Sequence, residues 1–392
     1  MIMVRRVMFI APGERQDKLA ANCAKEIHRY FPDWYLSALG GEQLRAAGAE
    51  VFMDYARIEN ARSLNTLSMV PQLNSVIVSI KRRILQAHPD LLVVIGMTPQ
   101  FLAISRFAKT HGVKVLGVML PKRWCWRASD MARLIDSVDH VACVYPYIKN
   151  ALKNTGVASS FIGLPLPPLE ASTLSRDQAR EALSLYSDKP VVGLMPGNTL
   201  KELKRFLPMM LSVAEDHPEC RFVLALAPNL SKAHLKSFKP DLRELGVWIV
   251  KEQTDVVLKA SDVALCTSGR ISLEAARMKT PVIVVEKCFG LRKDRFVTSG
   301  MASLCNLLAD KPIVPELCQQ KANARAMSKV LGELLDNAVS RETMVAHFEA
   351  LSDTLQTKRP VAHNLAALVG NLLGQPLSTV EDSALACELD SM

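Results

Sequence analysis

The sequence of 392 residues lacks several features that mark whole classes of protein. It has no apolar run long enough to span a bilayer, so we expect no membrane-spanning helix. Residues 1–10 include Arg5 and Arg6, but the apolar segment is short and no small-residue cleavage site follows it. We therefore expect a first strand there, not a signal peptide. A hydrophobic content of 49% and a charged content of 22% exclude a disordered chain and favour a globular one.

Cysteine pairs with metal-binding or redox spacing are also missing. The nine cysteines are scattered, no two form a Cys-x-x-Cys pair, and most lie in apolar patterns. Buried thiols of a cytoplasmic protein explain this distribution better than disulfides or zinc. No cluster of His, Asp or Glu has metal-ligand spacing. The sequence therefore predicts no metal and no cofactor.

Acidic residues are fewer than basic ones. The chain has 48 Lys and Arg against 39 Asp and Glu, which leaves a net charge of +9. Such a balance suits phosphorylated ligands, an anionic membrane surface or nucleic acid. We find no basic arm, RNA-binding signature or zinc finger, so no nucleic-acid partner is expected.

Short apolar runs alternate with helical patterns along most of the chain, which is typical of parallel sheets covered on both faces by helices. The proline-rich stretch 163–172 interrupts this alternation and predicts a stiff linker between two series. No Gly-x-Gly-x-x-Gly follows a strand, so a dinucleotide site is not expected. Two Rossmann-like domains in series would place a ligand cleft between the carboxyl ends of two sheets. The predicted parts are an N-terminal domain at 1–165, a C-terminal domain at 166–345, helices at 346–375 that pack back on the N-terminal domain, and a disordered acidic tail at 376–392.

The stretch from 260 to 285 predicts strand, tight turn, helix and strand. The buried strand Val263–Cys266 ends at Thr267-Ser268-Gly269, and a helical pattern starts at once. The free backbone N–H groups at such a helix start favour an anion. A glycine in the turn lets a phosphate approach the backbone, and Glu274, about one turn into the helix, is placed to bind a ribose. The same pattern also fits an ordinary βαβ unit in which Ser268 only caps the helix.

The pattern Ser-Gly-x-x-x-Leu-Glu at 268–274, followed by Pro281 and a run of valines, resembles the donor-binding motif of the lipid-A-disaccharide synthases. These enzymes are glycosyltransferases of the GT-B fold. Further segments resemble that family in the same order along the chain. They are Asp17 with Gly41 and Gly48, Pro121–Arg127, Asp139 with Pro146, Phe161–Gly163, Leu194–Gly197 with Glu202, Ser303–Ala309 and Ile313–Gln319.

The resemblance implies transfer of 2,3-diacylglucosamine from its UDP derivative to 2,3-diacylglucosamine 1-phosphate, a step in lipid A biosynthesis that releases UDP. The C-terminal domain would hold the UDP-sugar, and the N-terminal domain would hold the acylated sugar phosphate at the inner face of the membrane. The implied UDP-sugar-binding residues are Gly197, Asn198, Thr199, Thr267, Ser268, Gly269, Arg270, Glu274, Asn306, Glu316 and Gln319.

Two residues that the family pattern would supply are missing. The family has an Asp with a catalytic role after the strand that is Leu91–Ile95 here, but this chain has Gly96-Met97-Thr98. The family also has an Arg in a Pro-Gly-Ser-Arg loop, which here reads Pro196-Gly197-Asn198-Thr199. Displacement at an anomeric carbon needs a base for the acceptor proton and a charge partner for the leaving UDP. Both groups would therefore have to come from elsewhere.

Candidate replacements are present. Glu14 and Asp17 are the nearest N-terminal candidates for the base, although Asp17 also fits as the N-cap of its own helix. Arg270 lies in the turn that would face the diphosphate and could supply the charge partner; a solvated arginine at a helix start is the alternative. With neither replacement, the chain would be a catalytically degenerate paralogue that binds a UDP-sugar. If Glu14 or Asp17 acts as the base, a re-specialised enzyme that joins a different UDP-sugar to a different lipid is a further alternative. A UDP-sugar epimerase shares the fold, but its pattern of His and carboxylates is not found.

Basic and aromatic residues alternate in two places. Trp124, Trp126 and Arg127 follow a predicted strand, and a comparable patch lies within 289–295. Tryptophan at headgroup level and cations on phosphate are typical of contact with an anionic membrane. The alternative is a pair of solvated loops with buried tryptophans.

Overall fold

The structure is a computed structural model that describes residues 4–58, 66–120, 128–166, 169–186, 188–287, 301–355 and 357–377. Three expectations concern residues outside these ranges. They are the membrane contacts of Trp124, Trp126 and Arg127, the second patch within 289–295, and the acidic tail from 378 onwards.

The chain divides into two compact units. The first comprises residues 1–166 and 356–392, and the second comprises residues 167–355. Each unit contains one parallel sheet flanked by helices. The prediction of an α/β chain with two Rossmann-like sheets is confirmed.

The sheet of the first unit has seven parallel strands in the order β3-β2-β1-β4-β5-β6-β7. The strands are β1 (Arg6–Ile10), β2 (Tyr35–Gly40), β3 (Glu50–Asp54), β4 (Leu91–Ile95), β5 (Lys114–Val118), β6 (His140–Cys143) and β7 (Ala158–Phe161). The helices are α1 (Glu14–Tyr30), α2 (Glu42–Ala46), α3 (Thr66–Ala87), α4 (Pro99–Thr110), α5 (Ala128–Ile135), α6 (Pro146–Leu152) and, from the end of the chain, α15 (Val361–Leu372).

Two apolar cores cover the two faces of this sheet. Val7 and Phe9 of β1 point into one core, and Met8 and Ile10 point into the other. Successive side chains of a strand alternate between faces, so each strand serves both cores. Every residue of β4 is buried, which is why the strand reads as a continuous apolar run in the sequence.

Helix α15 completes the first unit by packing against α1. The Asn364 side chain on α15 donates to the Ile162 carbonyl at 3.1 Å, and Lys114 Nζ donates to the Leu372 carbonyl at 2.8 Å. Trp34 Nε1 donates to Gln375 Oε1 at 3.1 Å just beyond the helix. The C-terminal segment is therefore part of the first unit by specific polar contacts as well as by apolar burial.

The sheet of the second unit has six parallel strands in the order β10-β9-β8-β11-β12-β13. The strands are β8 (Val191–Met195), β9 (Arg221–Leu226), β10 (Trp248–Lys251), β11 (Val263–Thr267), β12 (Val282–Glu286) and β13 (Glu316–Cys318). The helices are α7 (Arg176–Ala182), α8 (Leu200–Asp216), α9 (Lys239–Glu244), α10 (Thr254–Ala260), α11 (Arg270–Arg277), α12 (Leu304–Ala309), α13 (Ala324–Asp336) and α14 (Ala338–Leu355). Short 3-10 turns lie at Glu170–Thr173, Lys232–Phe238 and Gln319–Lys321.

Helix α14 is continuous through residue 345, where the sequence placed a domain boundary. Its Phe348 and Leu351 are buried, and the helix packs against α11 and α12 in the second unit. Residues 346–355 therefore lie in the second unit, and the chain enters the first unit only after Leu355.

Within the described ranges, none of the helices combines the length and the apolar character needed to cross a bilayer.

Candidate functional site

Each sheet has one point where the strand order changes direction. It lies between β1 and β4 in the first unit and between β8 and β11 in the second. The chain leaves two such neighbouring strands towards opposite faces, which opens a crevice at their carboxyl ends where open α/β sheets bind their ligands. Eight of the eleven predicted UDP-sugar residues lie at the crevice of the second unit, in the loop after β8 and in the segment from the end of β11 into the first turns of α11.

The loop after β8 is shaped by a carboxylate from the helix that follows. Glu202 Oε2 accepts hydrogen bonds from Asn198 N and Thr199 N, both at 3.0 Å, and from Thr199 Oγ1 at 2.9 Å. Gly197 has φ +110°, and a Cβ there would lie 2.5 Å from Glu202 Cβ, so glycine is required. The two backbone N–H groups are committed to Glu202. A bound diphosphate would have to use other atoms of this loop.

The turn after β11 is open to a ligand. Gly269 is the N-cap of α11 with φ +133°, and apart from its chain neighbours no atom of the described residues lies within 4 Å of a Cβ built there. Among the described residues no side chain caps the helix, and its N-cap is Gly269, so the alternative in which Ser268 is the cap is wrong. Instead, Ser268 N donates to the Val285 carbonyl of β12 at 3.1 Å, which fixes the turn against the next strand. The helix start therefore offers backbone N–H groups without a competing side chain.

Arg270 and Glu274, predicted to face the diphosphate and the ribose, contact one another. Arg270 Nε lies 2.8 Å from Glu274 Oε1, and the two side chains are 40% and 14% exposed. The pKa of Arg277 is lowered from its ordinary value, mainly by burial. The negative charge of Glu274 raises this pKa, and the positive charge of Arg270 lowers it. Glu274 is thus a half-buried carboxylate that stabilises two arginines along one helix.

Gln319 follows β13 at the same edge of the sheet. Its backbone has φ +55°, in the left-handed region that a residue with a side chain rarely adopts. Its Nε2 is buried and has no hydrogen-bond partner among the described residues. A strained backbone combined with an unpaired buried donor is typical of a residue held in place for a ligand.

Asn306 and Glu316, whose role in the ligand site stays a prediction, form an internal hydrogen-bond network. Asn306 Oδ1 accepts from Ile313 N at 2.7 Å and from Val314 N at 2.9 Å, and its Nδ2 donates to Glu316 Oε1 at 2.7 Å. The two oxygens of Glu316 also accept from Ala302 N and Ser303 N, at 2.7 and 2.8 Å. Their polar atoms hold backbone segments together.

Asp17, a predicted base, caps a helix other than its own. It is 1% exposed, and its two carboxylate oxygens accept from Gly41 N at 2.6 Å and from Gln43 N at 3.1 Å, at the start of α2. The expectation that it caps its own helix is wrong, because α1 begins at Glu14 with Gly13 as the N-cap. Glu14 is exposed at the first position of α1, next to the crevice of the first unit. A catalytic role for either carboxylate stays a prediction.

Two polar residues beside the same crevice were missed by the sequence analysis. The side chain of Gln16 lies against Gly96, and Thr98 Oγ1 is buried with no partner among the described residues. The only signal in the sequence was the segment Gly96-Met97-Thr98, which indicated the loss of a carboxylate and not the presence of other groups.

The described residues include no group of three or more His, Cys, Asp or Glu able to hold a metal ion. The cysteines among them are free thiols, and all but the half-buried Cys318 are buried. They are Cys23, Cys143, Cys220, Cys266, Cys305 and Cys318.

The fold defines the class of protein. A glycosyltransferase from Rickettsia africae superposes with a TM-score of 0.59 at 11% identity, covering 95% of this chain and 99% of that one. A UDP-GlcNAc 2-epimerase from Neisseria meningitidis bound to UDP-GlcNAc gives 0.53 at 15% identity, covering 95% and 99%. At such identities the similarity shows the fold alone, and that fold is GT-B.

The family follows from the sequence comparison. Residues 7–369 match the family described as lipid-A-disaccharide synthetase, and the chain belongs to this family of glycosyltransferases. Lipid-A-disaccharide synthase 1 of Legionella pneumophila (strain Lens) is 28% identical over 362 residues, covering 90% of this chain and 94% of the relative. Lipid-A-disaccharide synthase of Coxiella burnetii (strain RSA 331 / Henzerling II) is 29% identical over 378 residues, covering 94% and 99%. The family predicted from the motifs is confirmed.

Proposed function

We propose that this glycosyltransferase moves 2,3-diacylglucosamine from its UDP derivative to 2,3-diacylglucosamine 1-phosphate. A hydroxyl oxygen of the acceptor attacks the anomeric carbon of the donor, and the bond from that carbon to the diphosphate oxygen breaks. The hydroxyl proton passes to a base on the protein, and UDP leaves with the electron pair of the broken bond. The products are a disaccharide 1-phosphate and UDP.

The proposal is supported mainly by three segments that lie at the carboxyl edge of the second sheet. The loop after β8, the uncapped start of α11 after β11, and Gln319 after β13 all lie at this edge. Dipole and N–H groups at the helix start favour the diphosphate, and the space around Gly269 lets it approach the backbone. Gln319 Nε2 supplies a donor that no protein group uses among the described residues.

Arg270 and Glu274 would exchange partners when the donor binds. In the free protein their charges satisfy one another at 2.8 Å. A UDP-sugar would take the guanidinium for its diphosphate and the carboxylate for its ribose hydroxyls, so that two ligand contacts replace one ion pair. The Arg270 side chain is 40% exposed, so a ligand in solvent can reach it. Charge-assisted contacts of this kind stabilise a leaving diphosphate.

Glu14 is our candidate for the base. Its carboxylate is exposed at the start of α1, whereas both oxygens of Asp17 are occupied by backbone N–H groups. We assign Asp17 a positioning role, because it holds the segment Gly41–Gln43 that follows β2. Glu14, which begins the helix after β1, would then replace the carboxylate that the family has at the position of Gly96.

The acceptor carries acyl chains, so the protein would work at the surface of a membrane. The net charge of +9 favours an anionic surface. The segment with Trp124, Trp126 and Arg127 has the composition for this contact, although it lies outside the described residues.

The test is a mass spectrum after incubation with UDP-2,3-diacylglucosamine and 2,3-diacylglucosamine 1-phosphate in detergent. The expected product is the disaccharide 1-phosphate, absent with Glu274→Ala and retained with Glu333→Ala, a matched change at an exposed position of α13. UDP binding without product would contradict the proposal. Because Gly96 stands where the family has an Asp, that result would instead favour a catalytically degenerate or re-specialised paralogue.

A further inference from the structure

We infer that Gln16 and Thr98 bind hydroxyl groups of the acceptor sugar at the crevice of the first unit. The inference rests on the proposed function, and it adds the residues that recognise the acceptor. Both residues flank Gly96, which follows β4, and both belong to elements that start at the point where the strand order changes direction.

Gln16 occupies the space above the backbone of Gly96. A Cβ built on Gly96 would lie 3.1 Å from Gln16 Nε2 and 3.3 Å from Gln16 Cγ. The φ of Gly96 is +79°, so any other residue there would be strained as well as crowded. The glutamine carboxamide thus stands where a side chain at position 96 would project.

The Thr98 hydroxyl is the second group. It is buried without a partner among the described residues, although Thr98 is the N-cap of α4, where a threonine hydroxyl usually accepts from the helix. An unpaired buried hydroxyl destabilises the free protein, because it has lost its water without gaining a hydrogen bond. A ligand hydroxyl would satisfy it.

The two side chains match the free hydroxyl groups of the acceptor sugar. A carboxamide and a hydroxyl each donate and accept hydrogen bonds, as sugar hydroxyls do, whereas a carboxylate only accepts. No hydrogen bond of the Gln16 carboxamide is found within the described ranges, so it is available for such a ligand. Glu14, two residues before Gln16 on α1, is then close along the chain to take the proton of the attacking hydroxyl.

The experiment measures steady-state kinetics with UDP-2,3-diacylglucosamine and 2,3-diacylglucosamine 1-phosphate, together with UDP affinity. Gln16→Ala and Thr98→Val should each raise the KM for the acceptor about tenfold, the usual effect of losing a hydrogen bond to a ligand, and leave UDP affinity unchanged. Thr98→Ser should restore the acceptor KM because it keeps the hydroxyl. The matched controls are Gln72→Ala and Thr343→Val, at exposed helix positions, which should behave as wild type.

Thermal unfolding separates recognition from a structural role. Thr98→Val removes an unpaired buried hydroxyl, so its Tm should be equal to or above that of wild type while acceptor recognition is lost. A lower Tm that accounts for the loss of activity would overturn the inference. So would wild-type acceptor KM in both Gln16→Ala and Thr98→Val, provided that the wild-type chain is active. A wild-type chain that binds UDP but gives no product would overturn the proposed function itself, and the inference with it.

Discussion

Arg270 Nε and Glu274 Oε1 lie 2.8 Å apart, one turn from each other on α11. The pair joins the two residues of this helix that were predicted to bind different parts of the donor. Their mutual contact means that neither charge is free before the donor arrives. If both side chains bind the donor as proposed, donor affinity depends on the difference between the free energy of the ion pair and that of the contacts that replace it.

Arg270→Ala should weaken UDP binding about tenfold or more, since a charge-assisted hydrogen bond to the diphosphate is lost. Calorimetric titration with UDP gives the dissociation constants. Arg325→Ala, an exposed arginine on α13, is the matched control and should leave the affinity unchanged.

The effects of Arg270→Ala and Glu274→Gln should not add, because the two side chains contact one another in the free protein. The double variant measures this coupling. Unchanged UDP affinity in Arg270→Ala would show that the arginine is only a solvated residue at a helix start.

Gln319→Gly should separate stability from binding. Glycine accepts the φ of +55° without strain, so the free energy of unfolding should change by less than about 1 kcal/mol. Loss of the carboxamide should weaken UDP binding about fivefold to tenfold. Lys279→Gly is the matched control, because Lys279 has φ +58° but lies at the other end of α11. Equal UDP affinity in the two variants would show that Gln319 does not bind the donor.

Asn306→Ala should act on stability. The substitution leaves the backbone N–H groups of Ile313 and Val314 without their acceptor, and it takes a donor from Glu316. We expect the free energy of unfolding to fall by about 2–4 kcal/mol, measured by urea titration. The matched control is Asn371→Ala, at an exposed position of α15. If Asn306→Ala kept full stability but bound UDP more weakly, Asn306 would be a ligand-binding residue.

Cys220 should make stability depend on alkaline pH. Burial, followed by the charge of Glu219, raises the pKa of this thiol from 9.0 to about 12. In the unfolded chain the thiol ionises first, so its contribution is fully present below pH 9.0 and is lost as the pH rises towards about 12. Urea midpoints between about pH 8 and about pH 11 should fall less for Cys220→Ala than for wild type. An identical fall in both proteins would contradict the assignment.

Trp124→Ala with Trp126→Ala should weaken binding to vesicles of phosphatidylglycerol and phosphatidylcholine, and Arg127→Ala should weaken it about fivefold at low salt. Sedimentation of protein with vesicles measures this. Trp248→Ala is the matched control, because Trp248 is 43% exposed on β10 of the second unit. Equal binding by all variants would exclude these residues from the membrane contact.

Much of the fold was accessible from the sequence because buried parallel strands have a simple pattern. The runs at 91–95 and 263–267 are wholly apolar or nearly so, and the structure buries every residue in both. The candidate donor turn could be predicted for the same reason, since a strand, a glycine and a helix start follow directly along the chain. The end of the second unit was harder to place. A helical pattern at 338–355 does not reveal which sheet the helix covers.

By itself, the sequence determined the family, the two parallel sheets and the loops that carry the candidate donor site. Only the tertiary structure decided which polar side chains remain available for ligands. Asp17 meets its partners 24 and 26 residues along the chain, and Asn306 meets those at 313, 314 and 316. Gln319 and Thr98, by contrast, each have a buried atom without a hydrogen-bond partner in the part of the chain that the structure describes. Local pattern cannot distinguish these cases, because a hydrogen bond depends on which distant backbone groups the fold brings within about 3 Å.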